Sequence, residues 1–308
     1  MMKKTKFLKK LVCGGIVILS VSAVFAQKTK KTKPAPKTKS IIFAVLNDGQ
    51  TLEPIGEIDK GKLVATANGG DEPKSLTNFV NSYYKPKTVY NLIFGGAVNG
   101  TITIKSNNAK SDCAKNLATV TTQSAKAKLK GLVMGLATNE KIAKTDSGVR
   151  RLPTAAERAE IESLVRAEFT KEGVSANAVK NMKYYNLTAL DVDNDGKAEM
   201  VGSFWTENSG KERNLLFFIA DKDGSDKYKF GYSEYEKVTP DKVMSGELKD
   251  LDELGGELLL DALEYNGDKT AEIFTINKAF EGNNFNVYSR QGGKWTKVFE
   301  GYNYHCAY

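Results

Sequence analysis

A short acidic stretch, Asp191-Val192-Asp193-Asn194-Asp195-Gly196-Lys197-Ala198-Glu199, has the spacing of a cation-binding loop. Calcium takes six to eight oxygen ligands, and a tight loop presents carboxylates at alternate positions only if the backbone turns sharply between them. Asp191, Asp193 and Asp195 give the alternation, Gly196 permits the turn, the Lys197 carbonyl can add a backbone oxygen, and Glu199 returns beyond it. Asp, Asn and Gly also form ordinary turns. A plain turn, however, does not require carboxylates at every second place and another past the glycine. An EF-hand needs an acid at the twelfth position, which here is Gly202, and both flanks read as strands rather than helices.

The stretch recurs 73 residues later, where Glu264, Asn266, Asp268 and Glu272 align with Asp191, Asp193, Asp195 and Glu199. This copy is a possible second, degenerate metal loop: its four side chains could still bind, but Lys269 stands where the glycine should be, and an empty loop is the favoured expectation. Each copy is followed by a hairpin pattern, Asn214 to Ala220 with Tyr228 to Tyr235, and Asn284 to Arg290 with Lys294 to Gly301. A supersecondary unit used twice is implied.

These residues resemble the FG-GAP or VCBS repeat of integrin-α-type β-propellers, whose blades carry a D-x-D-x-D-G-x-x-D/E loop between strands. The resemblance is tight over the loop and loose over residues 183–308. It implies calcium as the cofactor, with Asp191, Asp193, Asp195, Lys197 through its carbonyl, and Glu199 as ligands. A closed ring needs more blades than the two visible repeats supply.

Other chemistry is sparse. The one histidine, His305, lies beside Cys306 in a terminal cluster with Tyr302, Tyr304 and Tyr308, which reads as packing or surface rather than catalysis. Hydrolases built on Ser-His-Asp or Cys-His, and His-ligated zinc enzymes, need a well-placed imidazole. Gly95-Gly96 and Gly255-Gly256 lack the spacing and lysine of a phosphate loop. Glu207, Glu212, Glu234, Glu236 and Asp261 could serve a glycosidase, but nothing singles out a pair. Trp205 and Trp295 could form a stacking platform, although such rings in a β protein more often pack in the core.

The elements that must position the loop begin with a helix at Leu152-Pro153-Thr154, where Thr154 and Glu157 are spaced as a capping box. Ile161, Leu164, Val165 and Phe169 repeat at helical spacing, and Gly173 ends the run. Before it come strand-like runs at Ile41 to Leu46, Lys62 to Ala67, Thr88 to Phe94, Gly100 to Lys105 and Leu117 to Thr122, with a short helix expected from Ser75 to Tyr84. Asn99-Gly100 predicts a hairpin turn. The expected fold is therefore mainly β with one prominent α-helix. An N-terminal β domain spans 41–150, and a C-terminal β-rich region of a helix and two FG-GAP/VCBS-like repeats spans 151–308, not a complete closed propeller.

Five lysines precede an apolar run from Leu11 to Phe25, the layout of a signal peptide over 1–26, and the run is too short to span a bilayer. Residues 27–40, QKTKKTKPAPKTKS, read as a Lys/Pro-rich disordered linker. The formal charge of +8 resides in the eleven lysines of these two segments, which leaves residues 41–308 at −3 and offers no basic stripe for nucleic acid. Cys113 and Cys306 remain after cleavage, and an oxidising compartment permits one bridge between them, with two free thiols as the alternative. A secreted or periplasmic protein without a stable membrane anchor is expected. It would be a calcium-binding module or scaffold for an envelope or extracellular protein or polysaccharide, with a secreted carbohydrate-active hydrolase as the alternative.

Overall fold

The computed structural model describes residues 38–142 and 149–306. The signal-peptide and most of the linker readings fall outside these. From Thr38 onward the chain forms one compact unit. Strands take 49 % of the described residues and helices 16 %, so the mainly-β expectation holds.

Seven strands build the first sheet: β1 (Ser40–Leu46), β2 (Thr51–Asp59), β3 (Lys62–Val64), β4 (Val89–Phe94), β5 (Ala97–Asn107), β6 (Ala118–Gln123) and β7 (Gly135–Thr138). Their order is β1-β7-β4-β5-β6-β2-β3, and β1 also pairs with β2, which closes six of them into an antiparallel barrel with β3 on its rim. Every residue of β1 after Ser40 is buried. Ile41, Phe43 and Val45 face the barrel interior, while Ile42, Ala44 and Leu46 face outward into a second core. Successive side chains on a strand point to opposite faces, so an unbroken apolar run marks a strand covered on both sides. Helix α1 (Pro73–Tyr83) turns Phe79, Val80 and Tyr83 into the barrel interior.

The expected hairpin exists, but its turn is Gly95-Gly96 rather than Asn99-Gly100. Both Gly95 (φ 68°) and Gly96 (φ 74°) are left-handed, as a two-residue hairpin turn demands. Phe94 pairs with Ala97 across this turn, and the Asp261 carboxylate supports it by accepting from the Gly95 and Gly96 amides at 2.9 Å each. Gly100 instead lies within β5, where a Cβ would come within 2.2 Å of the Gln123 carbonyl.

The chain then forms two antiparallel meanders. The first sheet joins β8 (Val149–Arg151), β9 (Lys183–Asp191), β10 (Glu199–Asn208), β11 (Glu212–Lys222) and β12 (Tyr228–Val238) in the order β12-β11-β10-β9-β8. Helix α2 (Ala155–Lys171) has the predicted reciprocal cap between Thr154 and Glu157, and it buries Ile161, Val165 and Phe169 on one face of this sheet together with α3 (Ala176–Lys180). The second meander runs β13 (Glu257–Leu263), β14 (Glu272–Ala279), β15 (Gly282–Gln291) and β16 (Lys294–Tyr304) in sequence order.

This last sheet lies between the other two. Leu258, Leu260 and Leu263 of β13 pack against the outer barrel wall, whereas Leu259 and Ala262 pack against Val201, Phe217 and Ile219 of the first meander. A register shift between Leu259 and Asp261 accounts for the break in alternation. At the three-way junction, fully buried Asp261 also pairs with Arg150 of β8 at 2.7 Å. Arg150 in turn lies 4.6 Å over the Phe94 ring. Two meanders stacked face to face, with no closed propeller, are what the structure contains. No described helix is long and apolar enough to cross a membrane.

Candidate metal centre

The acidic loop connects β9 to β10, which pair in register from Leu190 and Glu199 onward. Asn194 (φ 59°) and Gly196 (φ 83°) take left-handed backbone. Between them the loop winds around its own carboxylates. Asp193 Oδ1 accepts from the Asp195 amide at 3.3 Å, Asp195 Oδ1 from Lys197 at 2.7 Å, and Asp191 Oδ2 from Gly196 at 3.1 Å. A carboxylate oxygen from each of Asp191, Asp193 and Asp195 lies within 4.8 Å of the others, the one such cluster of three His, Cys, Asp or Glu groups among the described residues. Asp191 Oδ1 is buried without a hydrogen-bond partner. Hard oxygen donors, a sharp turn and an orphaned carboxylate oxygen suit a calcium ion.

Glu199 is placed differently. It is buried at the start of β10, where Oε2 accepts from the Val192 amide at 3.0 Å. Its Oε1 faces Arg290 of β15, whose Nη2 donates at 2.5 Å. The same guanidinium donates from Nη1 to Asp193 Oδ2 at 2.6 Å and from Nη2 to Asp221 Oδ1 at 2.7 Å. Trp295 Nε1 reaches Asp221 at 2.9 Å, and its ring lies 5.0 Å from the guanidinium carbon. One arginine therefore crosslinks two of the predicted ligands to the neighbouring sheet. Burial pushes the Glu199 carboxyl up to about 7 against the opposing pull of Val192 and Arg290. Lys197 sits exposed after Gly196, its amide committed to Asp195. Sequence reasoning missed Arg290, Asp221 and Trp295, which lie 22 or more residues beyond Glu199 and meet the loop only through sheet packing.

The degenerate copy, between β13 and β14, keeps the backbone and changes the chemistry. Gly267 (φ 90°) and Lys269 (φ 75°) are left-handed at the places of Asn194 and Gly196. Asn266 Oδ1 accepts from Asp268 and Asp268 Oδ1 from Thr270, each at 2.8 Å, reproducing the first loop's bonds. Here the Glu264 carboxylate takes the Gly267 amide at 2.6 Å, and the Asn266 amide donates to both Asp268 and Glu272. Glu272 is 1 % exposed, and burial, reinforced by Asp268, pushes its carboxyl up to about 8. The Ala271 amide donates to the Val192 carbonyl at 2.8 Å, tying the two loops together.

No known protein family matches this chain, and no curated protein or solved structure is similar to it.

Four of the five acids named for glycosidase work are separately engaged. Glu207 pairs with Arg213, Glu212 with Lys237, Glu234 with Lys297, and Asp261 with Arg150. Trp295 is 3 % exposed, and Trp205 stacks on Tyr185 with Arg213 4.1 Å over its ring, so Trp295 packs in the core and Trp205 serves partly as a packing surface. Cys113 and Cys306 are joined, with Cα atoms 5.3 Å apart.

Proposed function

We propose that the protein is a calcium-stabilised, β-rich binding or scaffold module of FG-GAP/VCBS-like repeats that works in the periplasm or outside the cell, where its partner is an envelope or extracellular protein or polysaccharide. The observation that carries the calcium part is the convergence of Asp191, Asp193 and Asp195 around the left-handed Gly196 turn, with a buried Asp191 oxygen lacking a partner. Calcium there supplies charge neutralisation and oxygen coordination. The chain supplies a loop already wound by its own amides and fixed to the next sheet through Arg290. The disulfide supports a life in an oxidising compartment. Titration calorimetry with calcium tests the reading: saturable heat that disappears in Asp193→Ala and Asp195→Ala supports it, and no heat at millimolar calcium removes it.

A further inference from the structure

A cavity of about 880 Å3 opens where the barrel mouth meets the edge of the last sheet. That is within the roughly 300–1,000 Å3 range of small-molecule sites. Leu46, Leu117 and Met134 give it an apolar side, and Asn47, Gln50, Thr51, Thr119 and Asn283 give it amides and hydroxyls. No Phe, Tyr or Trp ring lines it.

Its polar wall is built rather than incidental. Glu53 projects outward from β2 and is 1 % exposed. Asn283 donates to one of its oxygens at 2.8 Å, and Asn303 donates to the other at 2.8 Å. His305 Nε2 meets that second oxygen at 2.9 Å. The histidine is held from both sides: its amide donates to the Glu281 carbonyl at 2.7 Å and its carbonyl accepts from Ala114 at 3.2 Å. The Cys113–Cys306 bridge pins the next residue. The Glu53 carboxylate beside it shifts His305 upward, and the contact between the two engages each with the other rather than with the cavity. His305 is thus neither a bystander in a tyrosine cluster nor available as an isolated base.

With Glu53 and His305 answering each other, two opposite charges in the lining remain for a ligand. Asp48, exposed in the β1–β2 turn, takes only the Gly131 amide, at 2.8 Å, among its described partners. Lys278 of β14 enters no ion pair among the described residues. One belongs to the barrel and the other to the last sheet. A polar cavity with one free charge of each sign and a belt of amides complements a molecule that is neutral overall yet carries both an ammonium and a carboxylate.

We propose that this cavity binds a small zwitterion, an amino acid or a short peptide with free termini, its ammonium facing Asp48 and its carboxylate facing Lys278. The proposal rests on the reading of the protein as a binding module and is independent of the metal loop. The test is calorimetry of the disulfide-intact protein with trialanine, with N-acetyl-trialanine amide, and with glucose, each repeated in EDTA. Saturable binding of trialanine is expected, unchanged by EDTA, with the blocked peptide weaker by about tenfold or more and glucose giving no heat. Lys278→Gln and Asp48→Asn, both at solvent-accessible side chains, are each expected to weaken trialanine about tenfold while melting as wild type. Equal or tighter binding of the blocked peptide or of glucose, no heat with trialanine up to about 5 mM, or wild-type affinity in both variants overturns the proposal. Loss of calcium binding with trialanine binding intact would remove the metal reading alone.

Discussion

The two acidic loops share a backbone and differ in what fills it. Both place left-handed residues at the same two positions, Asn194 and Gly196 in one and Gly267 and Lys269 in the other. Both wind the turn with the same pair of side-chain-to-amide bonds. Yet the first converges three aspartates and recruits Arg290, whereas the second has Asn266 at its centre and no guanidinium on Glu272. Loop shape is therefore encoded separately from the carboxylate cluster. Short-range hydrogen bonds from Asx side chains suffice for the shape, while a cation site needs surplus carboxylate charge.

The largest expected effect comes from removing the arginine that separates the two loops. Arg290→Gln leaves Asp193, Glu199 and Asp221 without their shared counter-charge; because Arg290 is part-buried, the loss is expected at the lower end of the about 3–5 kcal/mol that breaking a buried pair costs. Melting in EDTA is expected to fall accordingly. Calcium affinity is expected to rise, because Asp193 Oδ2 and Glu199 Oε1 are released. Weaker calcium binding in this variant would make Arg290 an organiser of the ligands rather than a competitor. Next comes the loop itself. On the proposed reading, calcium at about a hundred times its dissociation constant is expected to add about 2.7 kcal/mol of stability to the wild type. Asp193→Ala is expected to abolish that increment, and Asp268→Ala to leave it intact; equal losses in the two variants would erase the distinction between the loops.

A pH experiment sharpens the comparison further. Burial raises Glu272 from 4.5 to about 8. The folded chain therefore retains a proton that the unfolded chain releases, so the Glu272 contribution to metal-free stability is full below about pH 4.5 and is lost as pH rises toward 8. Melting temperature in EDTA is expected to drop across that window, and Glu272→Gln to flatten the slope. The smallest effect is at Lys269: a lysine in left-handed backbone costs about 1–2 kcal/mol relative to glycine, part of which glycine's chain entropy offsets. Lys269→Gly should raise the melting temperature by about 2 °C, whereas Gly196→Lys should lower it by a similar amount.

Local physics made much of this legible in advance. The capping box at Thr154 and Glu157, the apolar stripe of α2 and the loop spacing all depend on residues a few positions apart. What escaped reading is non-local. β2 carries Glu53, Pro54 and Gly56 within it and is covered on both faces, so neither alternation nor composition marks it as a strand. The Gly95-Gly96 turn owes its place partly to Asp261, 165 residues on. Arg290 and the wall of Glu53 with His305 are products of one sheet docking on another, and no window of sequence contains both partners.

The apolar outer wall of the barrel sets an order of events in the making of the protein. Ile42, Ala44, Leu46, Ile93 and Leu136 are covered by strands that begin only at Glu257. A chain synthesised from its N-terminus completes the barrel strands about 120 residues before that cover exists, an interval on the order of ten seconds at usual elongation rates. During this interval the nascent barrel presents a greasy flank to its surroundings. A ribosome-bound intermediate stalled there would be a substrate for a holding chaperone, and a chain cut short at residue 142 would be prone to clump.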